Sequence, residues 1–263
     1  MLDYQPRDIL IYLAVKYDGD VVKIINALSL KEDLDIAPNE MKRVCQSVKS
    51  KVMTFLDYDY PEVLKRMNRP PIVLFYYGDI TLLYDNTRKY AVVGTREPSD
   101  YGIKATQKIV SEMARGNVLV SGMAKGIDAI GHQTAIDNHG RTIAILGSGI
   151  DYCYPEENRE LYERLKKDQL VISEYPGMVA PDGPHFPMRN RLVVQLSEAI
   201  VVPEVKTHRS GSIISINIAN SNDKPVYIVP HSIFNDCINN FIINEGANVA
   251  ENGKDILEDL KWL

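Results

Sequence analysis

Glycine, serine and arginine residues follow three short apolar runs of the sequence, in a pattern that could bind phosphate groups. The three segments are Val93-Gly94-Thr95-Arg96, Val120-Ser121-Gly122 and Leu146-Gly147-Ser148-Gly149. Glycine has no Cβ atom, so the backbone can approach a ligand closely and backbone N–H groups at the turn can donate to an anion. Turn geometry alone usually explains one such glycine. Three of them beside Arg96 and Ser121 predict an anion-binding edge.

Four arginines are predicted to lie at this same edge. They are Arg96, Arg189, Arg191 and Arg209, and each falls in a predicted loop or near a predicted helix start. Four guanidinium groups that converge would repel one another unless an anion lay between them. We therefore expect these side chains to neutralise phosphates at an open edge, outside the core. The alternative is that Arg189 or Arg191 is the buried partner of an ion pair.

No motif of a common catalytic or metal site is present. The sequence lacks a P-loop, a G-x-S-x-G nucleophile turn and a helical pair of zinc-binding histidines, and Tyr152 stands where a dinucleotide fingerprint needs a small residue. The three cysteines lie too far apart for a Cys-x-x-Cys site. Asp128 and Asp151 could act as bases, but a capping role is the preferred interpretation. We therefore predict a binding protein with no catalytic residue, metal or cofactor.

The elements that must position these residues follow from the apolar pattern. Short apolar runs alternate with helical stretches, which is typical of βαβ units in a parallel sheet covered on both faces. The predicted strands are residues 90–93, 118–120, 142–146, 170–172, 200–202 and 226–229. The predicted helices are residues 103–115, 127–138, 155–167, 189–196 and 212–221. The fold class is therefore α/β, a doubly wound and mainly parallel sheet with its ligand site beyond the carboxyl ends of the strands.

A small helical domain is predicted in front of this sheet. Residues 1–52 carry apolar side chains at helical spacing, with boundaries marked by Asp18-Gly19-Asp20 and by Pro38. A short strand at residues 72–76 leads into the α/β part. The chain of 263 residues has a formal net charge of −5, so any nucleic-acid surface must be local, and basic residues do outnumber acidic ones between Arg88 and Gly126. Without a signal peptide or a membrane-spanning apolar run, we expect a cytoplasmic protein.

Several motifs occur in a characteristic order between residues 60 and 248. They are Tyr60-Pro61, Pro70-Pro71-Ile72-Val73-Leu74, Val93-Gly94-Thr95-Arg96-Glu97-Pro98, Ser121-Gly122-Met123-Ala124-Lys125-Gly126-Ile127-Asp128, Leu146-Gly147-Ser148-Gly149-Ile150-Asp151-Tyr152-Cys153-Tyr154-Pro155, Ser173-Glu174-Tyr175-Pro176, Phe186-Pro187-Met188-Arg189-Asn190-Arg191 and Ser210-Gly211-Ser212. This series resembles the DNA processing protein A family, also called DprA or Smf. Pro230-His231 departs from it, because Pro-Gly is usual there, and so do Glu204 and Arg209, the latter standing where a lysine is common.

The resemblance implies an extended Rossmann-like DNA-binding domain at residues 53–263, after a small helical (SAM-like) domain at residues 1–52. Many relatives also have a C-terminal winged-helix domain, which we do not expect here because the sequence ends shortly after the α/β part. It implies a homodimer that binds single-stranded DNA without sequence preference and helps to load the recombinase RecA in natural transformation. No enzymatic turnover and no membrane are implied. The residues it places at DNA or phosphate are Gly94, Thr95, Arg96, Ser121, Gly122, Lys125, Gly147, Gly149, Phe186, Arg189, Asn190, Arg191, Arg209, Ser210, Gly211 and Ser212.

Two other functions remain open at this point. Nucleotide-processing hydrolases of the cytokinin-activating (LOG) type have a related fold, but they need a Pro-Gly-Gly-x-Gly-Thr loop, for which Ser210-Gly211-Ser212 is the nearest analogue. A regulatory sensor could also bind a small nucleotide at the same edge, because an anion site accepts mononucleotides and strand phosphates alike.

Overall fold

A nine-stranded sheet organises the fold, which the computed structural model describes over residues 5–31 and 36–261. Its strands are β1 (Lys51–Thr54), β2 (Val73–Gly78), β3 (Lys89–Val92), β4 (Val118–Ser121), β5 (Arg141–Leu146), β6 (Leu170–Ser173), β7 (Ala199–Val202), β8 (Val226–Ile228) and β9 (Asn248–Val249). Strand β2 pairs antiparallel with β1 and with β6, and every other neighbouring pair is parallel. The predicted α/β class with a mainly parallel sheet is confirmed.

Helices cover the sheet and connect its parallel strands. They are α1 (Pro6–Lys16), α2 (Val21–Ser29), α3 (Pro38–Ser47), α4 (Glu62–Lys65), α5 (Asp100–Met113), α6 (Ile127–Asp137), α7 (Arg159–Asp168), α8 (His185–Leu196), α9 (Gly211–Ser221), α10 (Asn239–Asn244) and α11 (Gly253–Asp259). The six predicted strands correspond to β3–β8 and agree with them to within one residue at each end. The prediction missed β1, α4, β9, α10 and α11, and it began α8 four residues too late, at Arg189 instead of His185.

The order of the strands creates a switch point beside β3. The sheet order is β1-β2-β6-β5-β4-β3-β7-β8-β9, so the chain builds outward from β3 through β6 and then returns to add β7 on the other side. Loops that leave the carboxyl ends of β3 and β7 therefore diverge, and such divergence opens a crevice in doubly wound folds. Helix α8, which connects β6 to β7, crosses this region.

Both faces of the central strands are buried, because the alternating side chains of each strand enter different apolar clusters. Val118 and Val120 of β4 pack with Ile200 of β7 on one face, whereas Leu119 packs with Tyr90 of β3 on the other. A strand that is buried on both faces has a continuous apolar sequence, which is why these short runs were recognisable.

The N-terminal helices share a core with the sheet. Leu13 of α1 and Ile24 of α2 lie in the same buried cluster as Phe75 of β2 and Val171 of β6. Strand β1 spans residues 51–54 and pairs with β2, so the predicted division between residues 52 and 53 falls inside a strand. Apolar spacing predicts which face of a helix is buried, but the surface against which that face packs is decided by the tertiary structure. No helix within the described residues is long and apolar enough to cross a membrane.

Candidate functional site

The crevice at the switch point holds a cavity of about 260 Å³. The loops after β3 and β4, one face of α8 and the first turn of α9 enclose it. The predicted site residues that line this cavity are Gly94, Thr95, Arg96, Gly122, Phe186, Arg189, Asn190, Ser210, Gly211 and Ser212. The structure therefore brings together segments that are far apart in the chain, at the place that the strand order predicts.

The N-terminus of α9 lines this cavity with groups that can donate to an anion. The N-cap residue Ser210 makes no side-chain hydrogen bond to the first turn, so that turn keeps backbone N–H groups available. The Ser212 hydroxyl is buried and has no hydrogen-bond partner among the described residues. The positive end of the helix dipole and the free N–H groups favour a phosphate at this position.

Arg96 is the exposed cation of the cavity. Its guanidinium lies 5.5 Å from the centre of the Phe186 ring, and it makes no ion pair within residues 5–31 and 36–261. Gly147 allows this arrangement, since a Cβ atom there would lie 2.9 Å from the Phe186 ring. The ring of Tyr154, which is not among the predicted site residues, contacts Phe186 with ring centres 5.8 Å apart. Arg96 and Tyr154 therefore both contact the Phe186 ring.

Arg189 is buried, which contradicts the prediction of an open-edge arginine. It is 5% exposed, and its Nη1 donates to the carbonyl oxygens of Gly122 and Ile145. Its Nε donates to Oδ1 of Asn190 at 3.1 Å. Because α8 begins at His185, Arg189 lies inside the helix and faces the sheet instead of marking an exposed helix start. Its Nη2 makes no hydrogen bond in the described part of the chain, and the side chain lines the cavity.

A buried carboxylate occupies the predicted anion site after β4. The backbone N–H groups of Gly122 and Ala124 donate to Oδ2 of Asp128, at 3.2 and 3.3 Å. Burial raises the pKa of Asp128 above the ordinary aspartate value, although the Arg189 guanidinium and these N–H groups oppose that rise. The capping interpretation of Asp128 is confirmed. The prediction that the Ser121-Gly122 turn is an open anion cradle is wrong, because the protein supplies the negative group itself.

Two glycines are required by the way the loops meet. A Cβ atom on Gly122 would lie 2.2 Å from Nη1 of Arg189, so only glycine permits this close approach. Gly126 has φ +75°, and a Cβ atom there would lie 2.5 Å from the carbonyl oxygen of Thr95. The loop after β4 thus packs directly against the loop that carries Arg96.

The other predicted site residues lie outside the cavity. Arg191 pairs with the buried Glu174 at 2.5 Å, which is the ion-pair alternative, and burial raises the pKa of Glu174 although Arg191 opposes it. The Ser121 hydroxyl donates to the Val92 carbonyl at 2.6 Å, and the Gly149 N–H donates to the Val179 carbonyl at 2.7 Å. Lys125 pairs with the exposed Glu157, and Arg209 is exposed in the loop before α9.

Glu204 holds the Arg96 loop in place, a role that sequence reasoning missed. Its carboxylate accepts from the Ser99 hydroxyl at 2.6 Å and from Lys206 at 2.8 Å, and its backbone oxygen accepts from the Thr95 N–H at 2.9 Å. Burial opposes ionisation, but the hydrogen bonds from Lys206 and Ser99 outweigh it and hold the pKa of Glu204 below its usual range. The only hint of this role in the sequence was that Glu204 departs from the residue type usual in the family at this position.

No group of three or more histidine, cysteine or acidic residues within 5–31 and 36–261 could hold a metal ion. Of the carboxylates, Asp128 alone lines the cavity, and its oxygen already accepts two N–H groups. The chemistry that the arrangement supports is therefore the binding of an anion beside an aromatic surface.

Comparison with known proteins decides the family. The family described as DNA recombination-mediator protein A matches residues 51–261. The chain belongs to this family. The matched span starts at β1 and runs past α11, so it contains all nine strands and the whole cavity. The resemblance drawn from the motifs is confirmed.

Two relatives in this family match over most of their length. The chain is 36% identical to the DNA processing protein DprA of Bacillus subtilis, over 90% of this chain and 81% of the relative. It is 37% identical to DprA of Streptococcus pneumoniae, over 80% and 74%.

Two solved structures of the family share the fold. DprA from Streptococcus pneumoniae superposes with a TM-score of 0.80 at 33% identity, covering 95% of this chain and 92% of that one. DprA from Helicobacter pylori, whose structure was described for its single-stranded DNA binding mode, superposes with a TM-score of 0.73 at 29% identity, covering 81% and 96%.

Proposed function

We propose that this protein binds single-stranded DNA without sequence preference at the cavity between β3 and α9, and that it assists the loading of RecA onto incoming DNA in natural transformation. The single-stranded DNA binding described for the Helicobacter pylori relative supports the first part. The description of the family as a recombination mediator supports the second. The proposed activity is binding, without catalytic turnover.

The observation that carries the proposal is the position of Arg96, above the Phe186 ring and beside the N-terminus of α9. Arg96, Nη2 of Arg189 and the N–H groups of Gly211 and Ser212 would bind a phosphate, and the Phe186 ring would stack on an unpaired base. Contacts to phosphate and to the faces of bases carry no sequence information, so binding would tolerate any sequence. Gly94, Thr95, Asn190 and Ser210 would complete the phosphate site, and the exposed Arg209 would attract the strand from its margin.

The experiment that tests the proposal compares three ligands at one salt concentration: a single-stranded oligonucleotide, a duplex of equal length and a mononucleotide. We expect the single strand to bind most tightly, because the face of a base is free for Phe186 only when the base is unpaired and unstacked. Equal affinity for the duplex would contradict the proposal. A mononucleotide that binds more tightly than the strand would favour the nucleotide sensor. When the protein is added to strands covered by single-strand-binding protein, nucleation of RecA on those strands should become faster. An unchanged nucleation rate would contradict the proposed role in RecA loading.

We also propose a homodimer, in which a second copy of the chain covers an apolar surface between β8 and the end of β9. Ile233 and Phe234 are 86% and 91% exposed there, and Phe241 and Val249 are about half exposed. Strand β9 is at the edge of the sheet, and an apolar sheet edge tends to pair with another chain. A two-fold axis lets the same patch cover itself.

Substitution of Phe234 by Asp is expected to convert the protein to a monomer in sedimentation at micromolar concentration. A buried charge without a partner at the centre of the interface costs more than the lost ring contributes. Tyr58→Asp, at a fully exposed tyrosine outside this surface, is the matched control and should leave the dimer intact. A wild-type monomer at all concentrations would contradict the dimer, and a dimeric Phe234→Asp variant would place the interface elsewhere.

A further inference from the structure

Tyr154 connects the Phe186 ring to a second cavity, which the proposed phosphate site does not use. This cavity, of about 630 Å³, is lined by Lys125, Tyr152, Tyr154, Glu157 and Met178 among others, and we call it the Tyr154 trough. Met178 is 66% exposed and Tyr154 is 38% exposed, so the trough is open to solvent. Part of the Tyr152-Cys153-Tyr154-Pro155 motif thus forms a surface next to Phe186.

The loop that carries Tyr154 is held firmly by hydrogen bonds that leave its ring unused. The Ser148 hydroxyl donates to the Tyr152 carbonyl at 2.9 Å, and the Ser173 hydroxyl donates to the Ser148 carbonyl at 2.6 Å. The N–H of Ile150 donates to the Tyr175 carbonyl at 2.9 Å. The Tyr154 side chain has no hydrogen bond in the described part of the chain, and its aromatic contact is with Phe186. A ring held in this way loses little conformational entropy when a ligand stacks on it.

The charges of the trough are paired with one another, which determines the chemistry that it can accept. Lys125 pairs with Glu157, and Arg159 pairs with Glu156 at 2.6 Å. Each cation is therefore neutralised by an adjacent carboxylate, and a phosphate would meet two negative groups as well as two positive ones. An uncharged aromatic face fits such a surface better than an anion does. This is the opposite of the situation at Arg96, which has no ion-pair partner in the described residues.

We propose that the Tyr154 trough is a second stacking site, which takes a nucleobase of the same single strand whose phosphate lies beside Arg96. The proposal rests on the proposed function, and it extends that function by assigning the direction in which the strand leaves the cavity. From the N-terminus of α9 the strand passes Arg96, stacks one base on Phe186 and places the next base against Tyr154 and Met178. The ring centres of Phe186 and Tyr154 lie 5.8 Å apart with their planes inclined by 38°, so a strand that passes Phe186 meets Tyr154 next.

The test compares Tyr154→Leu, Tyr154→Phe and the control Tyr58→Leu. Tyr58 is fully exposed and lines a cavity with Lys89, at the amino end of β3 and away from the trough. The ligands are thymidine monophosphate and an oligothymidylate long enough to span both cavities. Tyr154→Leu is expected to weaken binding of the oligothymidylate about 5- to 150-fold, the range for loss of one stacked base. Tyr154→Phe and Tyr58→Leu should bind as the wild type does.

Two further readouts separate stacking from other roles. The salt dependence of oligothymidylate binding should be the same for Tyr154→Leu and the wild type, because no phosphate contact is lost. The affinity for thymidine monophosphate should also be unchanged. If Tyr154→Leu bound the oligothymidylate as the wild type does while Arg96→Ala bound it more weakly, the second stacking site would be contradicted. The proposed function would be unaffected. A lowered salt slope in Tyr154→Leu would also contradict the second stacking site. Failure of the wild type to bind single strands would remove both proposals.

Discussion

Substitution of Arg189 by Met is expected to lower the free energy of unfolding by about 3–5 kcal/mol, the range for removing one member of a buried charged network. The carbonyls of Gly122 and Ile145 would lose the Arg189 donor, and Asp128 would lose the positive charge that opposes the rise of its pKa. Each buried polar group left without a partner costs about 1–3 kcal/mol. Chemical denaturation followed by circular dichroism measures the change.

Arg209→Met is the matched control for this variant. Arg209 is exposed in the loop before α9, so its replacement should change stability by no more than about 0.5 kcal/mol. If Arg189→Met were as stable as Arg209→Met, the buried hydrogen bonds would not contribute as the structure requires. Such a result would support the prediction that Arg189 lies exposed at the edge of the sheet.

Substitution of Arg96 by Ala is expected to weaken single-stranded DNA binding on the order of tenfold or more, without unfolding the protein. A hydrogen bond to a charged group contributes about 1.5–3 kcal/mol, and loss of one phosphate contact should lower the single-strand salt slope by about 0.7. The loss should be the same for every sequence, because the contact is to phosphate. Binding titrations across a range of salt concentrations measure both quantities.

Arg115→Ala is the control for Arg96. Arg115 is exposed just beyond the end of α5, on the amino side of β4, and the cavity lies beyond the carboxyl ends of the strands. Its replacement removes the same charge from the chain, so it accounts for any general effect of net charge. Equal losses of affinity in the two variants would mean that DNA binding depends on the net charge of the protein and that Arg96 makes no specific phosphate contact. An Arg96→Ala variant with a wild-type slope would remove Arg96 from the phosphate site.

The two arginine experiments separate roles that look identical in the sequence. Arg96 and Arg189 both stand near a predicted strand end or helix start, and both line the cavity. One is exposed above an aromatic ring, and the other is buried against two carbonyl groups. Their residue type and spacing could not distinguish them, because the start of α8 was placed four residues too late and the orientation of Arg189 depends on that boundary.

The sequence by itself determined the six central strands and the family. Strands buried on both faces appear as short apolar runs, and the motifs at their ends follow one another in a recognisable order, so both signals are local. The location of the cavity also followed, because ligands of doubly wound sheets bind beyond the carboxyl ends at the switch point.

Only the tertiary structure decided which polar and charged groups at that edge are already paired within the protein and which are available to a ligand. Asp128 occupies the turn after β4, Glu174 takes Arg191, and the turn after β5 is closed by the loop that contains Val179. The groups that remain for the proposed phosphate site are Arg96, Nη2 of Arg189 and the first turn of α9. A donor or a charge binds whichever acceptor lies nearest in space, and these partners come from distant parts of the chain. Local spacing therefore shows that such groups are present, but it does not show which of them remain free.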